Sequence, residues 1–421
     1  QCPAGFARNA ENHCKLDSLY NNYQSPHGSG VGGLRAGLPA LRDGFSPRVI
    51  DLGRYLFFDP ILSADHTVAC SSCHDPDYGF ADGLARARGI NNVLLGRSAP
   101  SLWNIGFFDT LLWDGSKASL EEQLVGPLYA DNEMGNRPDQ LLRDLNGNTI
   151  YRDLFHQAFG TSNIALNHVY EAITAFEASL EEQLVGPLYA DNEMGNRPDQ
   201  LLRDLNGNTI YRDLFRQAFG TSNIALDHVY EAITAFEASL VSLNSRYDFY
   251  AHGLQTALSP SELEGLNVFR SFVSRCGECH TPPLFSNQEI AIIGVGEPEG
   301  RPFDPGAAAI SGIPSQRGGF RVPSLRNVAR TAPYMHQGNF DSLRETVAFY
   351  NGGRGHAVPE DEDLLIHWHI WDPKLREEEL DRLVDFLHAL TDEGFMPDIP
   401  EHVPSGLPPG RAISRNNLTS R

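Results

Sequence analysis

Residues 69–83 read ACSSCHDPDYGFADG, and residues 276–280 read CGECH. Each carries the pattern C-x-x-C-H, in Cys70, Cys73 and His74 and again in Cys276, Cys279 and His280. Two thiols at that spacing form thioethers to the vinyl groups of a haem, and the adjoining imidazole becomes an axial ligand of its iron. A thioredoxin-like dithiol expects a βαβ setting that the surrounding sequence lacks. A four-cysteine zinc site would leave both histidines idle and join pairs about two hundred residues apart. The two motifs therefore predict two covalently bound c-type haems, each needing a helical frame.

Composition sets the outer limits. A chain of 421 residues, 41% hydrophobic and 21% charged, can build two or more ordinary cores. No apolar run nears the ~20 residues that span a bilayer. A formal charge of -21 argues against nucleic acid or an anionic membrane as partner, because phosphate contacts need clustered Lys and Arg. Covalent haem attachment takes place outside the cytoplasm, where disulfides also persist, so a periplasmic location with the signal peptide removed is expected. Cys2 and Cys14, the two cysteines outside the motifs, are expected to pair in an N-terminal extension.

The frames are readable. Residues 259–280, SPSELEGLNVFRSFVSRCGECH, open with Ser259 as N-cap, Pro260 at the first helical position and Glu262 completing a capping box. Leu263, Leu266, Phe269 and Val273 then recur at helical spacing. SPRVIDLGRYLFFDP, residues 46–60, plays the same part before the first motif. DPKLREEELDRLVDFLHAL, residues 372–390, has an Asp-Pro start at Asp372 and an apolar face of Leu380, Leu383, Val384 and Leu387. Strand signals are weak throughout. The expected fold is mainly α, with two cytochrome-c-like haem domains, long loops and few strands. The expected division is an extension over 1–45, an N-terminal haem domain over 46–250, a C-terminal haem domain over 251–400 and a tail over 401–421.

The N-terminal domain contains a tandem duplication. Residues 118–177 recur at 178–237, differing only where His156 becomes Arg216 and Asn167 becomes Asp227. Solenoid repeats diverge under packing constraints, whereas these copies have not. Only one copy can occupy a given place beside a haem.

From about Ser46 to Leu390 the chain resembles the di-haem cytochrome c peroxidase and MauG family. The resemblance rests on both C-x-x-C-H motifs, APSLWN at 99–104, LLWDG at 111–115, LEEQLVGPLYADNEMG from 120, FRVPSLRNVARTAPYMHQG from 320 and FYNGG from 349. It implies a peroxidatic N-terminal haem, an electron-storing C-terminal haem and a tryptophan, Trp113, between them. In many of the family's peroxidases a histidine after the first motif caps the iron at rest. Here no histidine occurs from 75 to 155, Ile90 stands at the capping position and His66 lies on the wrong side of the motif to reach it. The first haem is expected to be open without activation, with His156 as the competing ligand.

Cleaving peroxide needs a group that takes its proton and returns it to the leaving oxygen. By resemblance, Gln123, Pro127 and Glu133 line that distal pocket, with Glu133 as acid/base. Gln183 and Glu193 are their counterparts in the second copy, and continuity with Trp113 favours the first. Opposite His280 the family places a methionine in peroxidases and a tyrosine in the protein-modifying MauG branch; the matching residue here is Tyr350, with Met335 and His336 as competitors. Phenolate lowers a haem potential relative to thioether. Thr331 and Pro333 match carbonyl ligands of a calcium ion between the haems, and Ser98 stands where the family has an asparagine. His367, Trp368, His369 and Trp371 form HWHIW, read as packing, a copper site or a hole-transfer aromatic.

The function expected on this basis is a peroxide-dependent, MauG-like oxidation of a residue, most readily tryptophan, on a partner protein, including the methanobactin-associated branch. It would run through a high-valent state spread over both haems. The alternative is a peroxidase that reduces hydrogen peroxide with electrons from a small cytochrome or cupredoxin. An electron carrier is disfavoured, because it gains nothing from an open iron.

Overall fold

The computed structural model describes residues 6–10, 14–16, 47–60, 67–89, 92–108, 110–115, 198–394, 397 and 399–412. The described chain is mainly helical, with four short strands in two antiparallel pairs. β1 (Phe6–Arg8) pairs with β2 (Cys14–Leu16), and Arg8 faces Cys14 across the ladder. Cys2 and the side chain of Cys14 lie outside the described residues, so the expected disulfide does too.

Two hydrophobic cores divide the helices, and each reaches one haem motif. The first is built from α1 (Pro47–Phe58), α3 (Pro198–Gly207), α4 (Thr209–Phe219) and α5 (Leu226–Ala238), with Cys70 packed against it. Phe57, Phe58 and Phe236 meet at its centre, 5.1 to 6.4 Å between ring centroids. The three helices α3, α4 and α5 come from the second copy of the duplication. The matching residues of the first copy lie outside the described residues.

The second core joins α6 (Arg246–Ala251), α7 (Pro260–Phe269), α10 (Leu343–Asn351) and α11 (Glu377–His388), with Cys276 against it. α7 begins as its sequence dictates: Ser259 N donates to Glu262 Oε2 at 2.8 Å, and the Ser259 hydroxyl accepts from Glu262 N at 3.3 Å. Its contact with α11 is close enough that a Cβ on Gly265 would run into the Arg382 carbonyl. Two expected boundaries move. α7 stops at Phe269, leaving Val273 46% exposed, because Ser271 turns the chain: its hydroxyl accepts from Ser274 N at 3.1 Å and its carbonyl from Arg275 N at 2.9 Å. α11 starts at Glu377 instead of Asp372, because the Asn351 side chain clamps both backbone groups of Leu375 at 2.7 and 3.0 Å and Lys374 takes a left-handed φ of 51°.

Residues 399–412 return to the first core. Val403 is buried in it, the Ser405 hydroxyl donates to Asp59 Oδ1 at 2.6 Å, and the Gly410 carbonyl accepts from the Ser71 hydroxyl at 2.8 Å. Ala412 N and Arg411 Nε both reach Asp75 Oδ2, at 3.0 and 3.1 Å. The described part of the expected tail is thus a strap over the first haem motif.

Candidate functional site

Each C-x-x-C-H forms a single helical turn, α2 (Cys70–Cys73) and α8 (Cys276–Cys279), that ends on its histidine. The His74 and His280 amides close the turns on the Cys70 and Cys276 carbonyls at 3.0 and 2.9 Å. His74 Nδ1 lies 3.0 Å from the Phe80 carbonyl, and His280 Nδ1 lies 3.1 Å from that of Phe285. A carbonyl only accepts, so Nδ1 carries the proton and Nε2 is left as the ligating atom. Burial lowers the pKa of both imidazoles, against the opposing pull of these carbonyls, which keeps them neutral as ligands must be.

The support around the two rings is itself repeated. Phe80 and Phe285 both take a left-handed backbone, φ 59° and 54°, aiming their carbonyls back at the histidines. A second carbonyl reaches each ring, from Pro100 to His74 and from Pro323 to His280 at 3.1 Å. Pro100 opens PSLWN at 100–104 and Pro323 opens PSLRN at 323–327. In each, the serine ties the strap to the loop it covers, Ser101 Oγ to the Gly79 carbonyl at 2.7 Å and Ser324 Oγ to that of Leu284 at 2.6 Å. Both terminal asparagines, Asn104 and Asn327, are left-handed and fully buried and bind Ser242 at 2.8 Å, linking the cores. The P-S-L-x-N repeat was present in the sequence, and its recurrence after each motif is the signal that would have exposed this shell.

A large apolar cavity in the second core is bordered by Cys276, Cys279, His280, Tyr350, Met335 and Trp113. Tyr350 comes from the end of α10; burial raises its phenol, and the two cysteine thiols nearby add to the effect. His336 borders the same cavity, but its Nε2 lies 3.1 Å from Glu297 Oε1 and its ring stacks on Phe320 at 3.9 Å. Trp113 is fixed by its indole N–H, which donates to the Ser98 carbonyl at 2.9 Å, and by its own carbonyl, which accepts from Arg321 N at 2.6 Å. Arg97 anchors the next residue, Asp114, at 2.6 Å and grips Asp304 at 2.8 Å, so the LLWDG loop is pinned to the second core. Ser98, Thr331 and Pro333 border this cavity as well. At the second motif, a pair of thiols, an imidazole whose Nδ1 is committed to carbonyls and an apolar hollow beside them fit a covalently held haem, and the first motif repeats the thiols and the imidazole.

A family model described as di-haem cytochrome c peroxidase matches residues 47–181 and 178–256. The chain belongs to the di-haem cytochrome c peroxidase and MauG family. The two matched spans overlap only at 178–181, where the second copy of the duplication begins. The methylamine utilization protein MauG of Methylorubrum extorquens is 28% identical over 357 residues, 85% of this chain and 82% of its own. The cytochrome c551 peroxidase of Nitrosomonas europaea is 28% identical, covering 70% of this chain and 71% of its own. A solved MauG-like protein associated with microbial copper homeostasis aligns with a TM-score of 0.61 at 26% identity, over 86% of this chain and 93% of that one. Family membership makes the chain a haem-dependent oxidoreductase and implies two c-type haems. No helix among the described residues is long and apolar enough to cross a membrane.

Several residues that the family resemblance singles out, Gln123, Pro127, Glu133, Gln183, Glu193, His156, Ile90 and His66, lie outside the described residues. Of the HWHIW segment, His367 and His369 bring their ring nitrogens within 4.8 Å of each other and of the Cys279 sulfur. That sulfur belongs to the haem motif. Trp368 is 66% exposed, while Trp371 donates its indole N–H to the Val273 carbonyl at 2.7 Å.

Proposed function

We propose that this chain is a peroxide-dependent oxidase of the MauG kind, acting in the periplasm on a residue, most readily a tryptophan, of a partner protein. Tyr350 carries the reading: its phenol borders the cavity that also holds His280, from the position where the family's branches diverge. The haems, when bound, supply the electron transfer and the chemistry at peroxide. His74 and His280 hold them through Nε2, each kept in one tautomer by two carbonyls. Trp113 stands on the cavity wall with its indole clamped to Ser98, and in this reading it carries electrons between the haems. A calcium ion held by the Thr331 and Pro333 carbonyls beside Ser98 would stiffen the same wall.

The proton of peroxide needs a carboxylate, and two compete for that role. Glu133 follows Trp113 by twenty residues, whereas Glu193 precedes α3 by five, and α3 is packed in the first core. The net reaction balances as one C–H bond of the partner and one peroxide giving C–OH and water.

The second reading is a peroxidase fed by a small cytochrome or cupredoxin, and Met335 on the same cavity wall favours it. The two separate in one experiment. Oxidised holoprotein is given stoichiometric peroxide and a candidate partner, and the partner's mass is read. A gain of oxygen supports the oxidase; rapid peroxide consumption with reduced cytochrome and no mass change in any partner supports the peroxidase.

A further inference from the structure

Of three arginines around the second core and the LLWDG loop, Arg326 and Arg321 are buried and Arg97 is partly buried, and two of the three have carboxylates to answer them. Arg326, 1% exposed, is gripped by Asp248, with Nη2 to Oδ1 at 2.7 Å. Arg97 is held between Asp114 and Asp304. Arg321 is the exception. It is 6% exposed, its Nε donates to the Leu112 carbonyl at 3.0 Å, and its guanidinium lies over the Phe108 ring at 5.1 Å. Its Nη1 is buried without a hydrogen-bond partner among the described residues. No acidic side chain among the described residues acts on it, and burial draws its pKa down to about 10.

A buried cation is expensive unless a counter-charge completes it, and the described residues supply none to Arg321. Arg321 borders the cavity of Cys276, Cys279 and His280. It ends β4 (Gly319–Arg321), two residues before the Pro323 carbonyl that faces His280, and its amide holds the Trp113 carbonyl. The carboxylates of a c-type haem lie at the edge of the macrocycle away from the thioethers. The Arg321 guanidinium meets Phe108 and Leu112, whereas the Cys279 sulfur has His367 and His369 for neighbours.

We propose that Arg321 is the counter-charge of a propionate of the C-terminal haem and, through that ion pair and its grip on the Trp113 loop, a positioning residue for the redox path between the cores. This rests on haem being bound at Cys276, Cys279 and His280. A guanidinium suits a carboxylate through paired N–H bonds, which lysine cannot reproduce. Its charge also opposes oxidation of the adjacent iron.

The test uses holoprotein with wild-type Arg321, Arg321→Gln and Arg321→Lys. Covalent haem content is measured first, by pyridine haemochrome; a wild type carrying one haem would overturn the underlying two-haem reading and not the pairing as such. Spectroelectrochemistry then follows each haem. Arg321→Gln should shift the reduction equilibrium of the C-terminal haem about tenfold toward the oxidised form, which is about 59 mV downward for one electron. Arg321→Lys should recover most of that shift, while its resonance Raman propionate bending band differs from wild type because the fork is lost. A C-terminal potential within twofold of wild type in Arg321→Gln, or a shift confined to the N-terminal haem, overturns the proposal. If Arg321→Gln does not accumulate, an unchanged propionate band in Arg321→Lys overturns it.

Discussion

The Pro323 carbonyl lies 3.1 Å from Nδ1 of His280, and Pro100 stands in the same relation to His74. A carbonyl that accepts from Nδ1 raises the basicity of the ligating nitrogen and holds the ring at one angle. The Ser324 hydroxyl keeps the Pro323 strap down on Leu284. Ser324→Ala should therefore leave both haems attached but raise the C-terminal midpoint potential, as a loosened strap weakens the bond to His280. Redox titration against wild type checks this, and an unchanged potential would remove the strap from any electronic role.

Tyr350 should reveal itself in the oxidised protein. Electron paramagnetic resonance is expected to show one five-coordinate high-spin and one six-coordinate low-spin haem without prior reduction. Tyr350→Phe should convert the low-spin signal, and Tyr350→Met should raise that haem's potential, since thioether favours the reduced iron. Two low-spin spectra in the wild type would refute the assignment.

The two copies of the duplication can be told apart by kinetics. Replacing the working carboxylate, by Glu133→Gln or Glu193→Gln, should slow the reaction with peroxide by roughly two to four orders of magnitude, the usual worth of general acid–base catalysis. Stopped-flow mixing of each variant with peroxide decides between them. An effect from neither would mean that the proton moves elsewhere.

Much of this was legible, for a physical reason. Short motifs whose chemistry is local, such as Cys70 to His74 and Ser259 to Glu262, carry their structure with them. Contacts across the chain do not. Val273 continues the apolar spacing of α7 yet falls beyond its end, because the serines at 271 and 274 offer the backbone a competing turn. The late start of α11 was set by Asn351, in a different helix. The pairing of Pro100 with His74 needed two segments to be compared with two others, and single-residue reasoning does not make that comparison.

The Asp248–Arg326 pair predicts how the second core responds to acid. Burial raises the Asp248 carboxyl, but Arg326 and Ser245 pull it further the other way, so its native pKa lies below its ordinary value. The pair's contribution is complete above the unfolded pKa of about 3.9 and is lost as pH falls through the lower native value. Asp248→Asn should cost about 3–5 kcal/mol at pH 7, as expected for breaking a buried pair. Urea unfolding at pH 7 and again below about pH 4 should show the gap between wild type and variant narrowing.

The strap of residues 399–412 gives the molecule an order of assembly. Ser71 lies within the first haem motif and Asp75 directly follows it, and their partners Gly410, Arg411 and Ala412 leave the ribosome more than three hundred residues later. The second motif draws its surroundings, from Tyr247 to Leu390, out of a nearly continuous stretch. Synthesis therefore delivers everything the second motif needs before it delivers the clasp of the first. Fastening the site at Cys70 and Cys73 depends on the last described stretch of the chain, so truncation before Gly410 would strip the clasp from the first motif and leave the second core intact.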